Sequence, residues 1–134
     1  MVSIRLARGD EGHLIHELFL ESGKWEIEGV DWTHDIGPYW LLAEIKGVPW
    51  GCIMVRPGRP LGSLEFLCVP KALPHKTKSL LVRTLCYAGL TSLKRSGSQL
   101  VSFVLHGGQD GWERVLLRRK FLKWFKGDIY LGGL

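Results

Sequence analysis

The sequence has no apolar run near the roughly 20 residues needed to cross a bilayer, so no membrane span is expected. Its opening stretch, MVSIRLARGDEG, carries acids where a secretory signal would carry its apolar core, so no targeting segment is read. Cysteine is scarce: Cys52, Cys68 and Cys86 make an odd count with no C-x-x-C spacing. That argues against a disulfide framework or a cysteine-built metal site, and for reduced, buried thiols in a cytoplasmic protein. Repeats, low-complexity tracts and linkers are also missing. With 46% hydrophobic and 23% charged residues the composition is globular, and 134 residues read as one domain, 1–134.

Charge is present but uneven. Residues 1–70 hold 6 Lys/Arg against 10 Asp/Glu, and residues 71–134 hold 12 against 3. The basic half draws anions such as nucleic acid or a phosphate-bearing ligand.

VSIRLAR alternates as a strand. Asp10 is placed to cap a helix in which Leu14, Ile15, Leu18 and Phe19 recur, and Gly23 ends it. Residues 24–38 are irregular, with Trp25, Asp31, Trp32, His34 and Asp35. YWLLAEIKG and VPWGCIMVRPG read as a hairpin turning at KGVP, RPLGS as a turn, and LEFLCV as the next strand. A helix is expected from about 77 to 95, capped by Thr77 or Ser79, with Leu81, Leu85 and Ala88 inward. LVSFVLH is a buried strand, WERVLLRRKFLKWF an amphipathic helix and GDIYLGG a closing strand. The expected order is β-α-(α)-β-β-β-α-β-α-β: an α/β domain with a mixed, mostly antiparallel sheet flanked by helices. The central strands are antiparallel, and the last three run parallel through helical crossovers.

Between LEFLCV and the following helix lies PKALPHKTK, a loop with two prolines and no glycine. Around it, Leu64, Glu65, Leu67, Val69, Pro70, Leu81 and Leu85 resemble the GCN5-related N-acetyltransferase (GNAT) superfamily, where a strand like I-E-x-L-x-V leads into P-x-x-R/Q-G-x-G-x-G/A and a helix. The order of elements matches over almost the whole chain. The loop core departs from the pattern. Leu73 stands at the Arg/Gln position, and Pro74, Lys76 and Lys78 stand at the Gly, Gly and Gly/Ala positions. The resemblance implies acetyl-CoA as co-substrate, no metal, and a pyrophosphate held by backbone N–H groups at a helix start. His75, Lys76, Thr77, Lys78 and Ser79 are the residues available for that here, with two lysines replacing glycine. A bulge in the fourth strand is implied too, with Leu67, Cys68 and Val69 pairing with the pantetheine arm through their backbone.

The implied activity is N-acetyl transfer to a primary amine on a small molecule or protein. Glu65, a carboxylate on an apolar strand whose neighbours Leu64 and Phe66 point the other way, is one candidate base; a pair with Arg56 or Arg59 is its bland alternative. His34, flanked by Asp31 and Asp35, is the other, and His106 at a strand end is a third candidate near the cleft. Leu116 or Leu117 occupies the position of the usual tyrosine acid, so only Tyr87 and Tyr130 are left to stand in. The rival reading is a degenerate GNAT-fold binding module of the kind found in phage or mobile elements. It would use Arg114, Arg118, Arg119 and Lys123 on the last helix to hold a protein or nucleic acid. The missing loop glycines, the missing tyrosine and one strand rather than two after that helix favour the rival. A homodimer is also compatible with the resemblance.

Overall fold

The computed structural model describes residues 1–23, 39–104, 122–124 and 129–133. Its elements are β1 (Val2–Leu6), α1 (Gly12–Ser22), β2 (Trp40–Ile45), β3 (Val48–Arg56), β4 (Leu61–Cys68), α2 (His75–Arg95), β5 (Leu100–Val104), β6 (Leu122–Trp124) and β7 (Ile129–Gly133). They build one seven-stranded sheet in the order β1-β2-β3-β4-β5-β7-β6. All neighbours are antiparallel except β4 and β5.

The central strands are apolar on both sides because both faces of the sheet are covered. Leu41, Ala43, Ile53, Val55, Leu64 and Leu67 face α2, where they meet Leu81, Val82, Leu85 and Leu93. Trp40, Leu42, Cys52 and Cys68 face α1, where they meet Ile15, Leu18 and Phe19. Gly23 ends α1 at φ 71°, a left-handed cap that glycine adopts without a Cβ penalty. No helix among the described residues is long and apolar enough to cross a membrane.

α2 lies so close to β4 that a Cβ on Gly89 would come within 2.7 Å of Leu64 Cδ2. Leu64 is fully buried and has nowhere to move. Gly89→Ala is therefore expected to destabilise by about 1–2 kcal/mol, because overpacking outweighs the gain in helix propensity. Chemical denaturation would measure it. A stabilised variant would mean the helix can lift off the sheet freely.

Several expectations need correction. The N-cap of α1 is Glu11, not Asp10. Glu11 takes that place because its carboxylate is held from behind by Arg5 and by the Arg8 N–H, while Asp10 is exposed. Leu61–Ser63, read as a turn, are strand, drawn in by parallel pairing with β5. Leu122–Trp124 are strand rather than the end of a helix: they pair with Leu131–Ile129 of β7, and tertiary pairing overrides a helical apolar period. Two strands thus close the described chain, not one. β7 runs back between β6 and β5, which makes it antiparallel to β5 rather than parallel.

Candidate active site

β4 loses regularity in its second half. Cys52 and Met54 are two residues apart on β3, but their partners Cys68 and Glu65 are three apart on β4. The surplus is a β-bulge. It coincides with Phe66 at φ 53°, in the left-handed region. A bulky residue there costs on the order of 1–3 kcal/mol. Long-range ring contacts hold it: Phe66 stacks on Phe19 with centroids 5.7 Å apart and lies 6.0 Å from Trp40. The bulge explains how Leu64 and Leu67, three residues apart, both face α2.

The bulge follows the last described pair of β4 with β5. That ladder runs from Leu61–Leu100 to Leu64–Phe103, and residues 105–121 lie outside the described residues. Val104 pairs with Ile129 of β7 on the other edge of β5. Leu67 and Cys68 follow the bulge with buried side chains, and Val69 comes next in the chain. Cys68 is opposite Cys52 in register. Burial pushes the Cys52 thiol well up, and Cys68 raises it further, so Cys52 is packing and not a nucleophile.

The bulged end of β4 leads into the loop at 69–74. The Lys71 N–H donates to Glu21 O at 2.9 Å and pins the loop to the end of α1. Leu73 packs into the core beneath α2, which gives an apolar residue its use at this position. α2 starts at His75 behind Pro74, two residues earlier than expected. Neither Thr77 nor Ser79 is the cap; Pro74 is, and no side chain caps the helix. Proline suits the site because its φ is preset and it has no N–H to leave unpaired. The first helical bond is Lys78 N–H to Pro74 O, at 3.0 Å. The N–H groups of His75, Lys76 and Thr77 meet no acceptor among the described residues. No acid stands in that first turn. His75 and Lys76 are exposed there. Lys78 Nζ reaches back to Lys71 O at 3.3 Å. Ser79 lies a turn further in.

Glu65 is the first residue past the end of the β4–β5 ladder. Opposite Met54, it shares the α1 face with Met54 and, through the bulge, with Phe66. The expectation that Phe66 points away from Glu65 is therefore corrected: the left-handed residue breaks strand alternation. Glu65 pairs with Arg56, Nε to Oε2 at 3.4 Å. Arg59 instead reaches Ser96 O. Tyr87 is 75% exposed on α2. Tyr130 is on β7 opposite Phe103. His34, Asp31, Asp35, Trp25, Trp32, His106, Arg114, Arg118 and Arg119 lie outside the described residues. Lys123 is in β6. Among the described residues, no three His, Cys, Asp or Glu are grouped to hold a metal ion. Sequence reasoning missed Phe66 as carrier of the bulge, since nothing local marks a phenylalanine for positive φ.

No known family model and no curated protein matches the sequence. Solved structures do. An acetyltransferase of the GNAT family from Staphylococcus aureus Mu50 aligns with 100% of this chain and 99% of its own, at 14% identity and a TM-score of 0.79. The chain has the GNAT fold. The PaiA N-acetyltransferase from Thermoplasma acidophilum, in complex with coenzyme A, aligns with 100% of this chain and 99% of its own at 16% identity, with a TM-score of 0.74. Diaminobutyrate acetyltransferase EctA from Paenibacillus lautus, in complex with L-2,4-diaminobutyric acid and coenzyme A, aligns with 98% of this chain and 92% of its own at 11% identity, TM-score 0.72. Within the GNAT fold of this chain, the bulge, the loop and the start of α2 follow one another along a single stretch, residues 64–78.

Proposed function

We propose that the protein transfers an acetyl group from acetyl-CoA to a primary amine by direct attack in a ternary complex. One observation carries the reading: the bulged end of β4 runs straight into a helix start where the N–H groups of His75, Lys76 and Thr77 have no acceptor among the described residues. The coenzyme A found in the PaiA and EctA structures supports it, and EctA's diaminobutyrate supports an amine acceptor.

The residues present fit such a ligand in a modified way. Pro74 and Leu73 remove donors that a glycine loop would supply. The N–H groups of His75, Lys76 and Thr77, with the partial positive charge of the helix end, remain for a pyrophosphate. Lys76 adds a full charge, and Lys78 adds another while tying down the loop. The backbone of Leu67, Cys68 and Val69 takes the amide-bearing arm as an extra strand would be taken. Acetyl-CoA supplies the thioester: the amine nitrogen bonds to the carbonyl carbon, the C–S bond breaks, and coenzyme A leaves as thiolate. Glu65 takes the proton lost by nitrogen, and that proton can return to the thiolate. No tyrosine is required, because a thiolate is a stable leaving group near neutral pH.

Titration calorimetry with acetyl-CoA tests this, with desulfo-CoA and ATP as controls at two salt concentrations. The Lys76→Ala, Lys78→Ala pair is expected to weaken binding about 10–100-fold, the loss of two charge-assisted contacts. Folded protein that binds no CoA ester would sink the proposal. The binding-module reading leaned on the absent glycines, the absent tyrosine and a single closing strand. The helix N–H groups without an acceptor among the described residues speak against the first, thiolate departure against the second, and β6 beside β7 against the third.

A further inference from the structure

Two arginine–glutamate contacts in this molecule differ in kind. Arg5 grips Glu11 with two hydrogen bonds, at 2.6 and 2.7 Å, and that carboxylate is 6% exposed. Arg56 touches Glu65 once, at 3.4 Å, with side chains 68% and 24% exposed. The remaining four guanidinium donors of Arg56 have no acceptor among the described residues, and Glu65 Oε1 has no donor. Arg56 stands opposite Ser63, so it shares the α1 face with Met54, Glu65 and Phe66. It lies on the incoming side of β4, away from the loop that leads to α2. A carboxylate and a guanidinium, both largely uncommitted among the described residues, thus sit side by side just before the bulge of β4.

Such a pair is itself neutral, and it discriminates by charge. A lone ammonium brought to Glu65 meets Arg56 as a like charge. A molecule with a carboxylate beside its amine meets complements at both ends. Resting on the function proposed above, we infer that the acceptor is an amino acid: its amine goes to Glu65 and its carboxylate to Arg56, which makes Arg56 the specificity-determining residue. Arginine suits this because its planar fork binds a carboxylate through two N–H groups. The acceptor's carboxylate also draws the guanidinium off Glu65 and leaves that oxygen for the amine proton.

The test uses matched pairs that differ only in the carboxylate: lysine and cadaverine, ornithine and putrescine, histidine and histamine, methionine and 3-methylthiopropylamine, tyrosine and tyramine. Each is titrated into protein saturated with coenzyme A, and N-acetyl products formed with acetyl-CoA are read by mass spectrometry. At least one amino acid should bind 10-fold or more tightly than its amine and be acetylated in preference. Arg56→Met should abolish that difference, and Arg56→Lys should restore part of it. Acetyl-CoA affinity is measured alongside, so that a misfolded variant is recognised. Amines that bind as well as amino acids, a preference that survives Arg56→Met, or no amino acid bound at all would each overturn the inference while leaving acetyl-CoA binding intact. Loss of acetyl-CoA binding in the unmodified protein would instead overturn the parent proposal, and this inference with it.

Discussion

Glu65→Gln is expected to lower kcat for acetyl transfer by about 100-fold or more, within the usual contribution of a positioned general base. Acetyl-CoA affinity should stay within about twofold, because Glu65 faces α1 and not the first turn of α2. Glutamine keeps the shape and can still contact Arg56, but it cannot take a proton. The residual rate should rise with pH as the amine itself deprotonates. A variant with unaltered kcat and an unaltered pH profile would remove Glu65 from the chemistry and leave it as a cross-strand ion partner.

The second large effect concerns stability. Arg5 holds Glu11 through two hydrogen bonds and also reaches Glu44 at 3.1 Å. The Arg8 N–H gives Glu11 a third bond, at 2.8 Å. These contacts tie the end of β1 to the start of α1. The Arg5 guanidinium, helped by the Arg8 N–H and opposed by burial, pulls the Glu11 carboxyl down from 4.5 to about 2. The unfolded chain therefore binds its proton at higher pH than the folded one. The contribution, about 3 kcal/mol, is complete above pH 4.5 and is lost as pH falls toward 2. Arg5→Met leaves the buried carboxylate without its main partner and is expected to cost about 3–5 kcal/mol at pH 7. Glu11→Gln should flatten the acid limb of the stability curve. Denaturation midpoints from pH 7 to pH 2 measure both. An acid limb unchanged in Glu11→Gln would assign the pH dependence to other carboxylates.

Much of the fold was legible in the chain itself. Trp40 to Ala43 and Cys52 to Val55 are apolar on consecutive residues, the mark of strands covered on both faces. Ile15, Leu18 and Phe19, and Leu81, Leu85 and Leu93, keep helical spacing and all are buried. The loop between β4 and α2 was locatable from LEFLCVP and the leucines beyond it, even without glycines. The candidate site was legible only in part. Glu65, its pairing with Arg56 or Arg59 and the residues 75–78 stood out, and the regular register before the bulge selects Arg56; the bulge itself, at Phe66, was not legible.

Local pattern also misled where a distant partner decides. KFLKWF continues a helical period, yet Leu122–Trp124 pair with β7. Thr77 and Ser79 are good caps in isolation, but Pro74 caps α2 three residues before Thr77.

The sequence by itself determined the alternation of strands and helices, the two apolar faces of the sheet and the basic character of the second half, because periodicity and composition act through neighbours a few residues away. Only the tertiary structure decided where β4 bulges. That bulge needs Phe66 held in a strained conformation, and the rings that hold it come from α1 and β2, 47 and 26 residues earlier in the chain.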